Sequence, residues 1–232
     1  MRLADTPAPS RASGEADALP PEEDTIFTAA VSAFEAGRDA VVEVRDDIDF
    51  EDHPAPRRLA PYAAAMAATA YRDGDEVATG RLMLLYDPAG QEGWTGTFRL
   101  VAQVHADVDP EMAEDPLLSE VGWSWLTDAL NARAPGYSAP SGTVTRVITE
   151  GFGAKEDEPT VTGFELRASW SPGDPDELSG AVEAWCDLIV AAAGLPAQPP
   201  GTRALRPGAR RHRRPPTARS STCSNPVRDC RR

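Results

Sequence analysis

The sequence contains a single lysine, three histidines and three cysteines in 232 residues. Three cysteines, of which Cys223 and Cys230 lie in the last ten residues, are too few for a disulfide framework. No run of about 18 apolar residues exists, so no membrane-spanning helix is predicted. Residues 1–21 lack the apolar core of a signal peptide. These absences predict a reduced, cytoplasmic and soluble protein.

Motifs for catalysis and cofactor binding are also lacking. The glycine-rich stretch 87–96 does not end in Gly-Lys-Ser/Thr, and a strand pattern follows it where a phosphate loop needs a helix. His53 and His105 lie in separate elements without the further ligands that a metal needs. Cys186 lies on a helix beside its apolar stripe, where a small apolar filler is expected. The sequence therefore predicts no catalytic residue, no cofactor, no metal and a non-enzymatic role.

Negative charge dominates the chain up to residue 202. The formal net charge is -14, but residues 203–232 hold ten arginines and one acid, which leaves -23 on the first 202 residues. Such a body repels phosphate backbones, so we do not expect nucleic-acid binding through it. The Arg/Pro-rich tail 202–232 and the segment 1–23 have no apolar pattern and are predicted to be disordered. The tail's composition is typical of either a basic arm or an out-of-frame translation.

Residues 24–201 are predicted to form one α+β domain. The expected order is a helix, three or four strands, a helix, two strands and a helix, with a mostly antiparallel sheet of about five to six strands and two or three helices. The first helix ends at Gly37, a short strand follows at 41–44, and the charged stretch 46–58 is a loop. The remaining strands are predicted at 60–71, 77–86, 97–105, 143–152 and 161–170, with a hairpin turn at 71–75 and with Arg99 on the polar side of its strand. The remaining helices are predicted at 115–130 and from Asp174, the expected N-cap, onward. The expected buried face of this last helix is Leu178, Ala181, Val182, Trp185, Leu188, Ile189 and Ala192.

The helix predicted at 115–130 is apolar over more than half of its circumference, so more than one side of it should be covered. Its expected inner face holds Leu117, Leu118, Val121, Trp125 and Ala129. Trp123 lies at the edge of this arc, where either another element of the chain or a second subunit covers it.

Trp94, in the glycine-rich loop, either packs against the domain or is presented to a partner. Tryptophan is enriched at the centres of protein interfaces. Trp94 and Trp123 are therefore candidate partner contacts.

Two arginines in the second hairpin are candidate anion contacts. If this hairpin closes symmetrically, Val147 lies opposite Leu166 and Arg146 lies opposite Arg167 on the polar side. Like charges that oppose each other directly are unfavourable unless an acid or a ligand lies between them. The alternative is a solvated face in which Glu165 lies diagonal to Arg146 and offsets its charge.

Several stretches together resemble a known family. They are Arg58-Leu-Ala-Pro-Tyr62, Gly80-Arg-Leu-Met-Leu-Leu-Tyr-Asp-Pro-Ala-Gly-Gln-Glu-Gly-Trp94, Glu120-Val-Gly-Trp-Ser-Trp-Leu-Thr-Asp-Ala-Leu130, Ser141-Gly-Thr-Val-Thr-Arg146 and Glu183-Ala-Trp185. Residues 24–201 are similar to an uncharacterised actinobacterial family, domain of unknown function 3000. The resemblance implies a cytosolic protein whose gene lies near one for a ribonuclease-D-like protein, and a chain that ends soon after Gly194-Leu-Pro196. The order of elements is also similar to that of the small dimeric chaperones of type III secretion, which implies a partner-binding homodimer.

The leading expectation is a non-enzymatic protein-binding or adaptor domain with an unidentified protein partner, and with a homodimer as one form of it. An enzyme or accessory factor of RNA processing is the alternative, which rests on the gene neighbourhood that the family implies. A small-anion sensor that uses Arg146 and Arg167 is the second alternative.

Overall fold

The computed structural model describes residues 21–197. The predictions for residues 1–20 and 198–232 therefore lie outside the described residues. Four α-helices and six strands follow one another as α1 (Pro21–Val44), β1 (Ile48–Asp52), β2 (Tyr62–Arg72), β3 (Asp75–Tyr86), β4 (Phe98–Asp107), α2 (Pro110–Glu114), α3 (Leu118–Arg133), β5 (Ser138–Thr149), β6 (Val161–Ser171) and α4 (Leu178–Ala192). None of these helices is long and apolar enough to cross a membrane.

The six strands form one antiparallel sheet in the order β1-β2-β3-β4-β6-β5. Even-numbered residues point to one face in every strand, because the registers pair even residues with even ones away from the bulges. Helices α1, α3 and α4 cover this face, with α4 between the other two. The opposite face, which we call the open face, carries no helix within residues 21–197. The predicted α+β class, the antiparallel sheet and the order of the predicted elements are confirmed, while helix α2 is a fourth helix where two or three were predicted.

Helix α4 is the centre of the core. Its predicted buried face of Leu178, Ala181, Val182, Trp185, Leu188, Ile189 and Ala192 is confirmed, and Ala184, Cys186 and Val190 on its other sides are buried as well. A Cβ on Gly80 of β3 would lie 2.7 Å from Trp185 and 2.5 Å from Ile189, so the absence of a side chain lets the helix lie directly on the sheet. The sequence predicted that helix 115–130 would be covered on more than one side, but the helix that is covered in this way is α4.

The first helix is longer than predicted. It continues through Gly37 to Val44, so the predicted stop at Gly37 and the strand at 41–44 are both wrong. A Cβ on Gly37 would lie 2.5 Å from the Ser179 carbonyl oxygen and 2.8 Å from Val182 Cβ. Gly37 is therefore the point at which α1 and α4 approach each other closely, and not a helix terminator.

The stretch 46–58, predicted to be a loop, contains strand β1. Ile48 is buried and Phe50 packs its ring edge against Trp185 at a centroid distance of 6.4 Å, while Asp49 and Glu51 point to the open face. Two inward apolar residues are sufficient for a short edge strand, although charge and proline dominate the local composition.

Helix α3 starts later than predicted and buries a different side. The Leu117 N–H donates to the Asp115 carboxylate at 2.8 Å, so Asp115 turns the chain before the helix begins at Leu118. The buried positions are Leu118, Gly122, Leu126 and Leu130. The predicted inner positions Leu117 and Val121 are exposed, because the close contact of α3 with the sheet is made at Gly122, which lies against the ring of Phe164.

The register predicted for the second hairpin is wrong. Val147 pairs with Gly163 and Arg146 pairs with Phe164, which is a shift of three residues from symmetric closure. A shift by an odd number exchanges the two faces of a strand. Arg146 therefore lies on the helix side and Val147 on the open face, the reverse of the prediction.

Candidate interaction surface

Strand β5 is a long edge of the sheet. Ten of its 12 residues pair on one side with β6, and no other strand within residues 21–197 pairs with its outer side. Most of its side chains are exposed. The outward N–H and C=O groups of such an edge are free to pair with another chain.

Charge gives this edge little protection. Arg146 is the one charged residue of β5. Its Nη1 donates to the carbonyl oxygens of Ala113 and Glu114 at 3.3 Å and of Asp115 at 2.9 Å, so its guanidinium caps the end of α2. Pro140 and a bulge interrupt the start of the strand, but nine residues from Ser141 to Thr149 follow without proline or bulge.

The opposite edge of the sheet differs sharply. Strand β1 has five residues, and Asp49, Glu51 and Asp52 give it a high negative charge. Short length and charge are the usual means by which native sheets prevent edge pairing. Within residues 21–197 the sheet thus has one protected edge and one long edge without such protection.

Apolar side chains are exposed close to β5. Ile148 on the strand, Phe152 just after it and Val161 opposite its end have exposed fractions of 50%, 79% and 57%. On the helix side an open groove of mixed character runs between β5 and the α2–α3 segment. It is lined by the apolar residues Ala113, Val144 and Ile148 and by the polar or charged residues Glu114, Ser119, Thr145 and Arg146. Backbone pairing groups and apolar side chains therefore occur together along one surface, which we call the β5 surface (residues 141–149 with Phe152 and Val161).

The two tryptophans predicted as partner contacts have different surroundings. Trp123 is half-buried against the core, and a Cβ on Gly142 would lie 2.8 Å from its ring, so β5 of the same chain covers one side of it. Trp94 is also half-buried, but it is not among the side chains that pack on the core. Trp94 stays a predicted partner contact, at the end of the sheet where the Thr95 N–H donates to Ser171 Oγ at 3.0 Å.

The two arginines predicted as an anion pair are not brought together. Arg146 lies on the helix side of the sheet, whereas Arg167 lies on the open face. The Arg167 guanidinium forms an ion pair with Glu165 at 2.6 Å, whereas the alternative expectation placed Glu165 beside Arg146. A joint contact of both arginines with one small anion is therefore not supported by their positions.

The histidines lie closer together than the sequence indicated. His53 and His105 both line a shallow groove on the open face, with Glu51, Arg81 and Glu165 nearby. Within residues 21–197 no group of three His, Cys, Asp or Glu side chains is placed to hold a metal ion. Cys186 is buried in α4, and desolvation raises the pKa of its thiol far above the ordinary value. It packs as the small apolar residue that was predicted.

The β5 surface was missed at the sequence level. Its residues were predicted to form a hairpin strand, but a pattern of alternation does not report which strand lies at an edge. The available signal was composition, because residues 141–149 contain one charge and several β-branched residues.

Comparison with known proteins gives one match. The search of curated proteins and the search of solved structures each find none. The family model described as "Protein of unknown function (DUF3000)" matches residues 23–202, which is most of the chain and includes all six strands. The match ends where the arginine-rich tail begins. The chain therefore belongs to the DUF3000 family of proteins of unknown function.

Proposed function

We propose that this protein is a non-enzymatic, cytoplasmic protein-binding domain that receives an extended segment of its partner along β5. The observation that carries the proposal is the long outer edge from Ser141 to Thr149, whose single charged residue, Arg146, donates hydrogen bonds to the carbonyl oxygens at the end of α2. An extended segment placed there adds a seventh strand to the sheet and satisfies the free main-chain groups.

Side chains on both faces of β5 indicate what the segment contains. Val144 and Ile148 point to the helix side and Val147 points to the open face, so a paired strand meets apolar groups on both of its faces. The favoured partner segment is therefore uncharged and rich in β-branched or aromatic residues, since cross-strand pairs of these types stabilise a sheet. A second copy of β5 has this composition too, which gives a homodimer with antiparallel β5 strands.

The test places a lysine on the edge. Thr145 is exposed on β5, and Thr145→Lys adds the charge that native edges use against pairing. Glu51→Lys on the protected edge β1 is the matched control, because it adds a lysine to the other edge of the same sheet. The native chain and both variants are used for affinity purification from lysate of the source cells, and for sedimentation at increasing concentration.

A partner that is retained by the native chain and by Glu51→Lys, but lost with Thr145→Lys, supports the proposal. A dimer that dissociates with Thr145→Lys identifies the second copy as that partner. If complexes and self-association are the same for all three chains, β5 is not the docking edge and the proposal is wrong.

A further inference from the structure

Residues 21–197 contain two buried guanidinium groups with different partners. Arg45 is 9% exposed and Arg99 is 6% exposed. Arg45 forms a bidentate ion pair with Asp47, with Nε to Oδ1 at 2.8 Å and Nη2 to Oδ2 at 2.6 Å. Arg99 forms no ion pair within residues 21–197, although the first 202 residues carry a net charge of -23.

Hydroxyl groups surround the Arg99 guanidinium in place of a carboxylate. Its Nη2 donates to Ser169 Oγ at 2.8 Å, to the Ser169 carbonyl oxygen at 3.2 Å and to Ser141 Oγ at 3.3 Å, and Nη1 donates to Ser171 Oγ at 3.3 Å. These oxygens accept hydrogen bonds from the guanidinium N–H groups of Arg99 but do not neutralise its positive charge. A buried charge without a counter-ion is costly, and desolvation lowers the pKa of Arg99.

The serine hydroxyls also have donor capacity to spare. Ser171 Oγ accepts from Arg99 and from the Thr95 N–H at 3.0 Å, and no acceptor for its own hydrogen lies within the described residues. Ser141 Oγ and Ser169 Oγ are 3.3 Å apart, so when one donates to the other, the second retains a free hydrogen. Ser141 is exposed and Ser169 is half-buried, which places the Nη2 end of Arg99 on the solvent side.

We propose that Arg99, Ser141, Ser169 and Ser171 form a binding site for one small oxyanion. A fixed positive charge and hydroxyl donors on three sides are what a phosphate, sulfate or carboxylate group requires. On binding, the hydroxyls rotate from accepting to donating, and the anion supplies the negative charge that Asp47 supplies to Arg45. The site lies on the open face at the start of β5 and shares Ser141 with the β5 surface, but its hydrogen bonds form without a partner strand.

The test is a calorimetric titration of the full chain with sodium phosphate, sodium sulfate and sodium acetate, each at constant ionic strength in a chloride buffer. At least one anion should bind saturably, and the comparison of acetate with phosphate and sulfate shows whether the site takes a planar or a tetrahedral group. Arg99→Gln should weaken this binding roughly tenfold to hundredfold, since hydrogen bonds to a charged group contribute about 1.5–3 kcal/mol.

Two further variants make the test specific. Arg81 is exposed on the same face and forms no ion pair within residues 21–197, so Arg81→Gln removes an equal charge without the serine hydroxyls and should leave the affinity unchanged. The ten arginines after residue 202 remain in every variant, and their contribution cancels. Ser141→Ala removes an exposed hydroxyl and should weaken binding roughly twofold to tenfold.

Three results would overturn the proposal. The first is heat that rises linearly without saturation for all three anions. The second is an equal loss of affinity in Arg81→Gln and Arg99→Gln, which would indicate unspecific attraction. The third applies if the Arg99→Gln chain does not fold, and it is an anion affinity that Ser141→Ala leaves unchanged. This result would show that the serines hold Arg99 in place without binding an anion.

Discussion

Replacement of Gly122 by alanine sets two opposite effects against each other. Gly122 lies within α3, where alanine is favoured over glycine by about 1 kcal/mol. The reason is that an unfolded chain with alanine at this position has fewer conformations to lose on folding than one with glycine. The new Cβ, however, would lie 2.7 Å from Cζ of Phe164 and still closer to its Cε2. One effect stabilises the helix, and the other forces the helix away from the sheet.

The surroundings of Phe164 decide which effect is larger. Its ring is fully buried, and the ring of Trp125 lies beside it at a centroid distance of 5.6 Å, so the phenyl group has little room to move. Overpacking at such a site costs about 1–3 kcal/mol. The difference between this cost and the helical gain is a net loss, so we expect Gly122→Ala to lower the free energy of unfolding by up to about 2 kcal/mol, which lowers Tm by up to about 8 °C in a domain of this size.

Denaturant unfolding in a double-mutant cycle measures the clash directly. In a Phe164→Leu background the ring edge is absent, so Gly122→Ala should become neutral or stabilising by up to about 1 kcal/mol. If Gly122→Ala raises the free energy of unfolding by about 1 kcal/mol in the native background, the ring of Phe164 moves aside. Equal effects in both backgrounds would show that Phe164 is not the cause, and either result refutes the reasoning.

Two further predictions concern polar groups. Arg146→Ala removes the donors to the carbonyl oxygens at the end of α2. We therefore expect the free energy of unfolding to fall by about 1 kcal/mol and hydrogen exchange at residues 110–118 to become faster. Unchanged exchange at these residues would contradict the capping role. In a Cys223→Ser, Cys230→Ser background, Cys186 should resist a thiol reagent at pH 8 until the protein unfolds, because burial raises its pKa and holds it protonated. The unfolded state loses this proton first, above about pH 8.5, so the stability advantage of the native chain over Cys186→Ala should decline by up to about 1.4 kcal/mol per pH unit above that value. A pH-independent difference would show that the Cys186 thiolate is accommodated in the fold.

Local errors in the sequence analysis share one physical origin. Gly37 was predicted as a helix stop because glycine usually ends helices, but its function here is contact with Ser179, which is 142 positions away in the chain. The stretch around Ile48 was predicted as a loop because charge dominates it, although two inward side chains are enough once β2 lies beside it. Each correction depends on a neighbour that is distant in sequence.

The sequence alone determined the elements whose own periodicity is strong. Seven buried residues of α4 were predicted, because apolar residues recur there at helical spacing, although Asp174 caps a short 3-10 turn at Pro175–Glu177 and α4 itself begins at Leu178. The hairpin of β2 and β3 was predicted from the turn residues at 71–75, and the structure pairs Arg72 with Asp75 there. The α+β class followed from these elements and from the order of the others.

Only the tertiary structure decided which surfaces are free and which charges are buried. An alternating strand has the same sequence pattern at the centre of a sheet as at its edge, so the position of β5 beside β6 alone was not encoded locally. Arg99 was correctly predicted on the polar side of its strand, yet it is buried, because Ser141, Ser169 and Ser171 are brought to it from two other strands. Both sites that we propose arise from the order of strands, and that order is set by long-range packing around α4.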